Sequence, residues 1–146
     1  MKRDKEYYIK RLKELEVRDF TAKQVHNASD LWDYDTIKGY GQMDVEYFLC
    51  ITLDGAHRVI NIHEVTKGLL NRTLVHPREV FRRAIKDNAA AIIVAHNHPS
   101  NSLEPSSEDR ELTSRLRSAG DIVGISILDH LILARSSYFS FMEAGI

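Results

Sequence analysis

The chain has 146 residues, 43% of them hydrophobic and 28% charged, with a formal net charge of −1. Those proportions suit one globular domain able to bury roughly 70% of its unfolded surface, and the near-zero net charge argues against strong, sequence-blind attraction to nucleic-acid phosphates. The single cysteine, Cys50, excludes an internal disulfide and a thiolate-built zinc knuckle.

The basic, polar start, Met1-Lys-Arg-Asp-Lys, does not lead into the apolar stretch of a secretion signal. The longest apolar run, Ala89 to Ala95, is far shorter than the roughly 20 residues needed to span a bilayer. A cytoplasmic protein with no membrane partner is expected. Residues 4 to 16 read as a charged helix with Tyr8, Ile9, Leu12 and Leu15 as its apolar stripe. A second helix follows Asn27-Ala-Ser29, with Leu31, Trp32 and Ile37 facing inward, and Gly39-Tyr-Gly41 breaks it.

From Val45 the pattern alternates. Val45, Tyr47, Leu49, Ile51 and Leu53 point one way, and Glu46, Phe48, Cys50 and Thr52 the other. Asp54-Gly55 supplies a turn, and His57 to Val65 returns as the partner strand of a hairpin. Pro77 fits the first turn of a helix whose core face is Val80, Phe81, Ala84 and Ile85. Ala90 to Ala95 reads as a strand buried on both faces. Ser106 starts a helix with Leu112, Leu116 and Ala119 on one side, stopped at Gly120; Ile122 to Leu128 and Leu131 to Ala134 are further strands. Together these predict a mixed-sheet α/β domain. Two basic clusters, Arg78 to Lys86 and Arg110 to Arg117, are interleaved with acids or lie on helix faces and read as solvated surface.

The chemistry concentrates at His96-Asn-His98-Pro, followed by Ser106 and Asp109. A strand projects alternate side chains to one face, so His96 and His98 can converge on one ion. Pro99 takes the chain out of the sheet, and the polar loop beyond it can bring Asp109 back. Two nitrogens and one oxygen suit zinc, with a fourth position left open. A hydrolytic site also needs a proton acceptor that is not a ligand. Glu46, the one charged residue in an apolar strand, is the candidate, against the plainer reading of a strand-start glutamate reaching water. With seven histidines, chance alone gives about 0.3 His-x-His triplets, and Ser106-x-x-Asp109 alone is more often a helix cap. The weight lies in the combination.

His96-x-His98-Pro-x6-Ser106-x-x-Asp109 with upstream Glu46 resembles the JAMM signature of the JAB/MPN+ metalloproteases. Val75-His-Pro-Arg-Glu-Val-Phe81, Ala95-His-Asn-His-Pro-Ser100 and Leu128-Asp-His-Leu-Ile132 are similar, more narrowly, to the bacterial RadC family. The resemblance covers about Asp44 to Gly145. It does not reach residues 1 to 40, where the helix-hairpin-helix region of longer RadC proteins is not expected.

The resemblance implies a cytidine-deaminase-like, three-layer α/β/α sandwich. Residues 41–146 would be the metal-binding catalytic domain and 1–40 a helical extension packed on it. It further implies one Zn2+ held by His96, His98 and Asp109, Glu46 as general acid/base, Ser106 as an oxyanion stabiliser, and a protein or peptide substrate. Two positions depart from the family pattern: Asn101 stands for the usual Gly, and Leu69 for a frequent Thr.

Asp129 and His130 read either as an outer pair orienting a ligand imidazole or as a core histidine satisfied by its neighbour. His76 is expected at a helix start, and His26, His57 and His63 on the surface without useful partners. Two rival functions stay in view, a DNA-repair-associated protein that interacts with DNA and a metal-stabilised interaction module without turnover. Exposed strand edges also admit a homodimer.

Overall fold

The computed structural model describes Glu6, residues 23–68 and residues 75–146. Within them the elements run α1 (Ala28–Trp32), α2 (Asp35–Gly41), β1 (Tyr47–Leu53), β2 (Val59–Lys67), α3 (Pro77–Lys86), β3 (Ala91–Asn97), α4 (Ser107–Val123), β4 (Ser126–Leu133) and β5 (Tyr138–Ser140). Apart from Glu6, which is helical, the expected helix over 4–16 lies outside the described residues, as does the departure at Leu69.

The strands form one mixed sheet in the order β2-β1-β3-β4-β5. β1 pairs antiparallel with β2 and β3, β3 pairs parallel with β4, and β4 pairs antiparallel with β5. Every residue of β1 and β3 is buried, which is why both read as nearly unbroken apolar runs: each of their faces carries a core. On one face Tyr47, Leu49, Ile51, Ile93 and Ala95 pack with Leu31, Ile37 and Tyr40 of α1 and α2. On the other, Phe48, Cys50, Ile92 and Val94 pack with Val80, Phe81 and Ala84 of α3 and Leu112 and Leu116 of α4. The result is an α/β sheet covered on both sides, the expected fold class.

Several expectations shift in detail. The single helix after Asn27 is two, because Tyr34 adopts extended backbone and serves as the N-cap of the second. Gly39 lies inside α2, and the helix ends at Gly41, as expected. Gly41 is there for close packing: a Cβ would come 2.2 Å from the Ala134 carbonyl oxygen. Ile85 is 60% exposed, off the Val80-Phe81-Ala84 stripe. β2 starts at Val59 rather than His57. Residues 54 to 58 are spent on a turn in which the Asp54 carboxylate accepts from the backbone N–H groups of Ala56 and Arg58, each at 2.9 Å. α4 continues through Gly120 to Gly124, which caps it at φ 80°. Gly120 instead lets the helix approach the chain, since a Cβ would meet the Ile125 carbonyl oxygen at 2.5 Å. The two expected strands after it are one continuous β4 starting at Ser126, and Ile122 is helical. β5 was not expected; its three residues are too few for an alternation to register.

Candidate metal centre

The β1–β3 register brings the site together. Phe48 sits opposite His96, and extending that antiparallel pairing by two residues sets Glu46 opposite His98, on the same face. Glu46 stands just before β1 begins and is 8% exposed. His98 stands one residue past β3, its backbone N–H still bonded to the Leu133 carbonyl at 3.0 Å. The chain then turns away at Pro99. Asn101 closes the turn at φ 66°, a left-handed conformation that Asn tolerates better than most residues. Its side-chain oxygen accepts from the Arg135 N–H at 2.9 Å.

Asp109 returns to the histidines because the first turn of α4 is capped. The Ser106 hydroxyl accepts from the Asp109 N–H at 3.0 Å, and Asp109 Oδ2 accepts from the Ser106 N–H at 2.9 Å. This reciprocal capping box fixes the carboxylate with Oδ1 3.2 Å from His96 Nε2 and Oδ2 3.5 Å from His98 Nε2. The two Nε2 atoms are 2.9 Å apart. Capping and convergence on the histidines occur together.

The hydrogen-bond network assigns the tautomers. His98 Nδ1 lies 2.8 Å from the Ser102 carbonyl oxygen, which only accepts, so Nδ1 carries the proton and Nε2 the lone pair. The Thr113 hydroxyl donates to the Asp109 carbonyl oxygen at 2.8 Å and therefore accepts from His130 Nδ1–H at 2.5 Å. His130 Nε2 then accepts from His96 Nδ1–H at 2.7 Å. This relay leaves the lone pair of His96 on Nε2. Two imidazole lone pairs and a carboxylate thus face one point, an arrangement of acceptors that calls for a cation.

Among the described residues, Glu46, His96 and His98 form a group that could hold a metal ion, their ligand atoms within 4.8 Å of one another. The Asp109 carboxylate competes with Glu46 for the third place. A tetrahedral ion with bonds of 2.0–2.1 Å spaces its donor atoms about 3.3 Å apart. The His96, His98 and Asp109 separations of 2.9, 3.2 and 3.5 Å bracket that value. Both carboxylates therefore stand within reach of the two histidines.

Beside these groups lies an open groove of about 620 Å³, lined by residues that include Asp44, Glu46, His98, Glu104 and Ser106. Phe48 stacks on His96 with ring centroids 6.1 Å apart, and Phe141 stacks on His130 at 4.6 Å, so each imidazole has an apolar ring against one face.

Of the expected outer pair, His130 reaches the centre through His96, whereas Asp129 turns elsewhere. Its carboxylate accepts from Ser140 Oγ at 2.5 Å and from the Met142 N–H at 3.0 Å, latching the C-terminal turn to β4. Sequence reasoning passed over Thr113, although its spacing four residues from Asp109 places it on the same helix face. It also left His63 without a partner. In the fold His63 Nε2 lies 2.6 Å from Asp87 Oδ2, which also accepts from Thr52 and Asn61. Cys50 is buried in apolar surroundings that push its thiol up to about 12, an inert core residue.

Comparison with known proteins matches residues 25–146 to the model of the RadC-like JAB domain. A UPF0758 protein of Geotalea uraniireducens is 48% identical over 101 residues, which cover 69% of this chain and 44% of the relative. A UPF0758 protein of Pelobacter propionicus is 50% identical over the same shares. One from Symbiobacterium thermophilum is 48% identical over 104 residues, 71% of this chain and 44% of the relative. The chain therefore spans less than half the length of these relatives. With the family match covering most of the chain and its motif residues gathered at one centre, the chain belongs to the RadC-like JAB domain family.

Proposed function

We propose that the chain is a zinc-dependent hydrolase of amide bonds, of the metalloprotease or isopeptidase kind. His96, His98 and Asp109 are its metal ligands, Glu46 takes up and returns the proton, and Ser106 donates to the developing oxyanion. The convergence of two imidazole lone pairs and one fixed carboxylate at 2.9–3.5 Å carries this reading. Zinc in such a donor set supplies Lewis acidity at neutral pH.

The protein's own groups do the rest. His130 and Thr113 hold His96 in the ligand tautomer, and the Ser102 carbonyl does the same for His98. The Glu46 carboxylate lies buried beside the histidines at the groove, and on this reading it accepts a proton from an attacking water and passes it to the leaving amine. Ser106 already accepts the Asp109 N–H, so its own O–H proton is left to donate to an oxygen in the groove.

A peptide or protein substrate and a cytoplasmic setting belong to the same proposal. No helix among the described residues is long and apolar enough to cross a membrane. The described lining of the groove holds the carboxylates Asp44, Glu46 and Glu104 and no lysine or arginine, which favours peptide over nucleic-acid phosphate. Incubation of the zinc-loaded protein with peptide and lysine-isopeptide libraries, read by mass spectrometry, tests the activity. Cleavage should fall by roughly 10²- to 10⁴-fold in Glu46→Gln. Equal cleavage by the two proteins would remove Glu46 from the chemistry.

A further inference from the structure

Asn97, between the two histidines, points to the opposite face of β3 and is 1% exposed. A buried amide is costly unless each polar atom finds a partner, and all of the partners of Asn97 lie in one short segment. Its Oδ1 accepts from the Tyr47 N–H at 2.7 Å, and its Nδ2 donates to the Val45 carbonyl at 2.9 Å and to the Met43 carbonyl at 3.4 Å. The Val45 carbonyl and the Tyr47 N–H belong to the two peptide groups on either side of Glu46. The side chain of Asn97 thus replaces the backbone pairing of the strands just before β1 begins, and it grips the chain on both sides of Glu46. A further bond, from the Gly68 N–H to the Glu46 carbonyl at 2.7 Å, completes the restraint.

We propose that Asn97 is the positioning residue for Glu46. One strand then carries both histidines and the clamp that sets the proton-handling carboxylate against them, so ligands and carboxylate hold a common register. An apolar residue would fill the same space in the core but would leave the Val45 and Tyr47 peptide groups without these bonds. The inference rests on the reading of Glu46 as the proton acceptor.

Acetohydroxamic acid is a suitable probe. When its oxygens engage a divalent ion its hydroxyl proton must pass to a neighbouring base, here the Glu46 carboxylate. Its affinity for the zinc-loaded full chain would be measured by calorimetry for the starting protein, Glu46→Gln, Asn97→Ser, Asn97→Asp and the Glu46→Gln/Asn97→Ser pair. Zinc content and amide hydrogen exchange at Tyr47 in the metal-free protein would be followed alongside.

All single variants should keep zinc. Glu46→Gln should weaken the probe about tenfold or more, both Asn97 variants should weaken it, and Asn97→Ser should add nothing in the Glu46→Gln background. Tyr47 exchange should accelerate in Asn97→Ser but not in Asn97→Asp, which keeps the acceptor and loses only the donor. A weakened Glu46→Gln beside an unaffected Asn97→Ser would overturn the inference and leave the proposed function standing. An unaffected Glu46→Gln would overturn that function and the inference with it. Independent losses in the double variant, or loss of zinc from both Asn97 variants, would assign Asn97 to the histidine strand instead and overturn the inference alone.

Discussion

Replacing Thr113 with Val isolates the relay behind the metal centre, because the two side chains have the same shape and no cavity is made. The hydroxyl accepts from His130 Nδ1–H at 2.5 Å while donating to the Asp109 carbonyl. Its loss removes the acceptor of an N–H on a ring that is 0% exposed, a change that costs about 1–3 kcal/mol of stability. It also frees His130 to move its proton to Nε2, which would then face His96 Nδ1–H and push the His96 proton to Nε2, the nitrogen the metal needs. Disturbing such an outer partner lowers metal affinity by about 10- to 100-fold, or about 1.4 to 2.8 kcal/mol. The assay is zinc competition against a chromophoric chelator, with nitrogen-15 spectra of the imidazoles to read the tautomers in the metal-free protein. Thr113→Ser, which keeps the hydroxyl, should restore both. Unchanged zinc affinity and an unchanged His96 tautomer in Thr113→Val would refute the relay.

Ser106→Ala should lose about 1 kcal/mol of stability in urea unfolding, the usual effect of removing a helix cap, and should also weaken zinc because Asp109 is aimed by that cap; Ser106→Thr should recover most of both. Gly41→Ala forces a Cβ to 2.2 Å from the Ala134 carbonyl oxygen, so the melting temperature should fall by the equivalent of about 1–3 kcal/mol or more, whereas the same change at Gly55, where nothing lies near, should leave it almost unaltered. Burial alone would raise the pKa of Asp87, but hydrogen bonds from His63, Thr52 and Asn61 outweigh it and leave the group lowered. Its contribution to stability is therefore whole above the unfolded carboxylate value of about 4 and is lost as pH falls through the folded value. Asp87→Asn should reduce stability at pH 7 and flatten its fall on the acid side, as read by unfolding at a series of pH values.

The site was more legible than the frame around it, for physical reasons. His96, His98 and Asp109 fall within fourteen residues, on a strand end and the helix turn that follows it, so their meeting is a short-range consequence of local structure. Glu46 lies fifty residues earlier than His96, and the resemblance, with the oddity of a carboxylate among apolar neighbours, picked it out. Gly39 and Gly120 misled because both lie within helices that continue past them, Gly120 serving close backbone packing that depends on what lies opposite. His63 and Asp87 are 24 residues apart and meet only because α3 ends beside β2. Thr113 and Asn97 carry no motif of their own. Their roles come from partners on other elements, His130 and the 43–47 segment.

Zinc content per chain tests the central claim most directly. After loading and exhaustive dialysis, elemental analysis should find close to one zinc in the starting protein and in Glu46→Gln, and almost none in His96→Ala/His98→Ala or Asp109→Ala. The account is contradicted if the starting protein retains no zinc, or if the histidine and aspartate variants hold as much as it does.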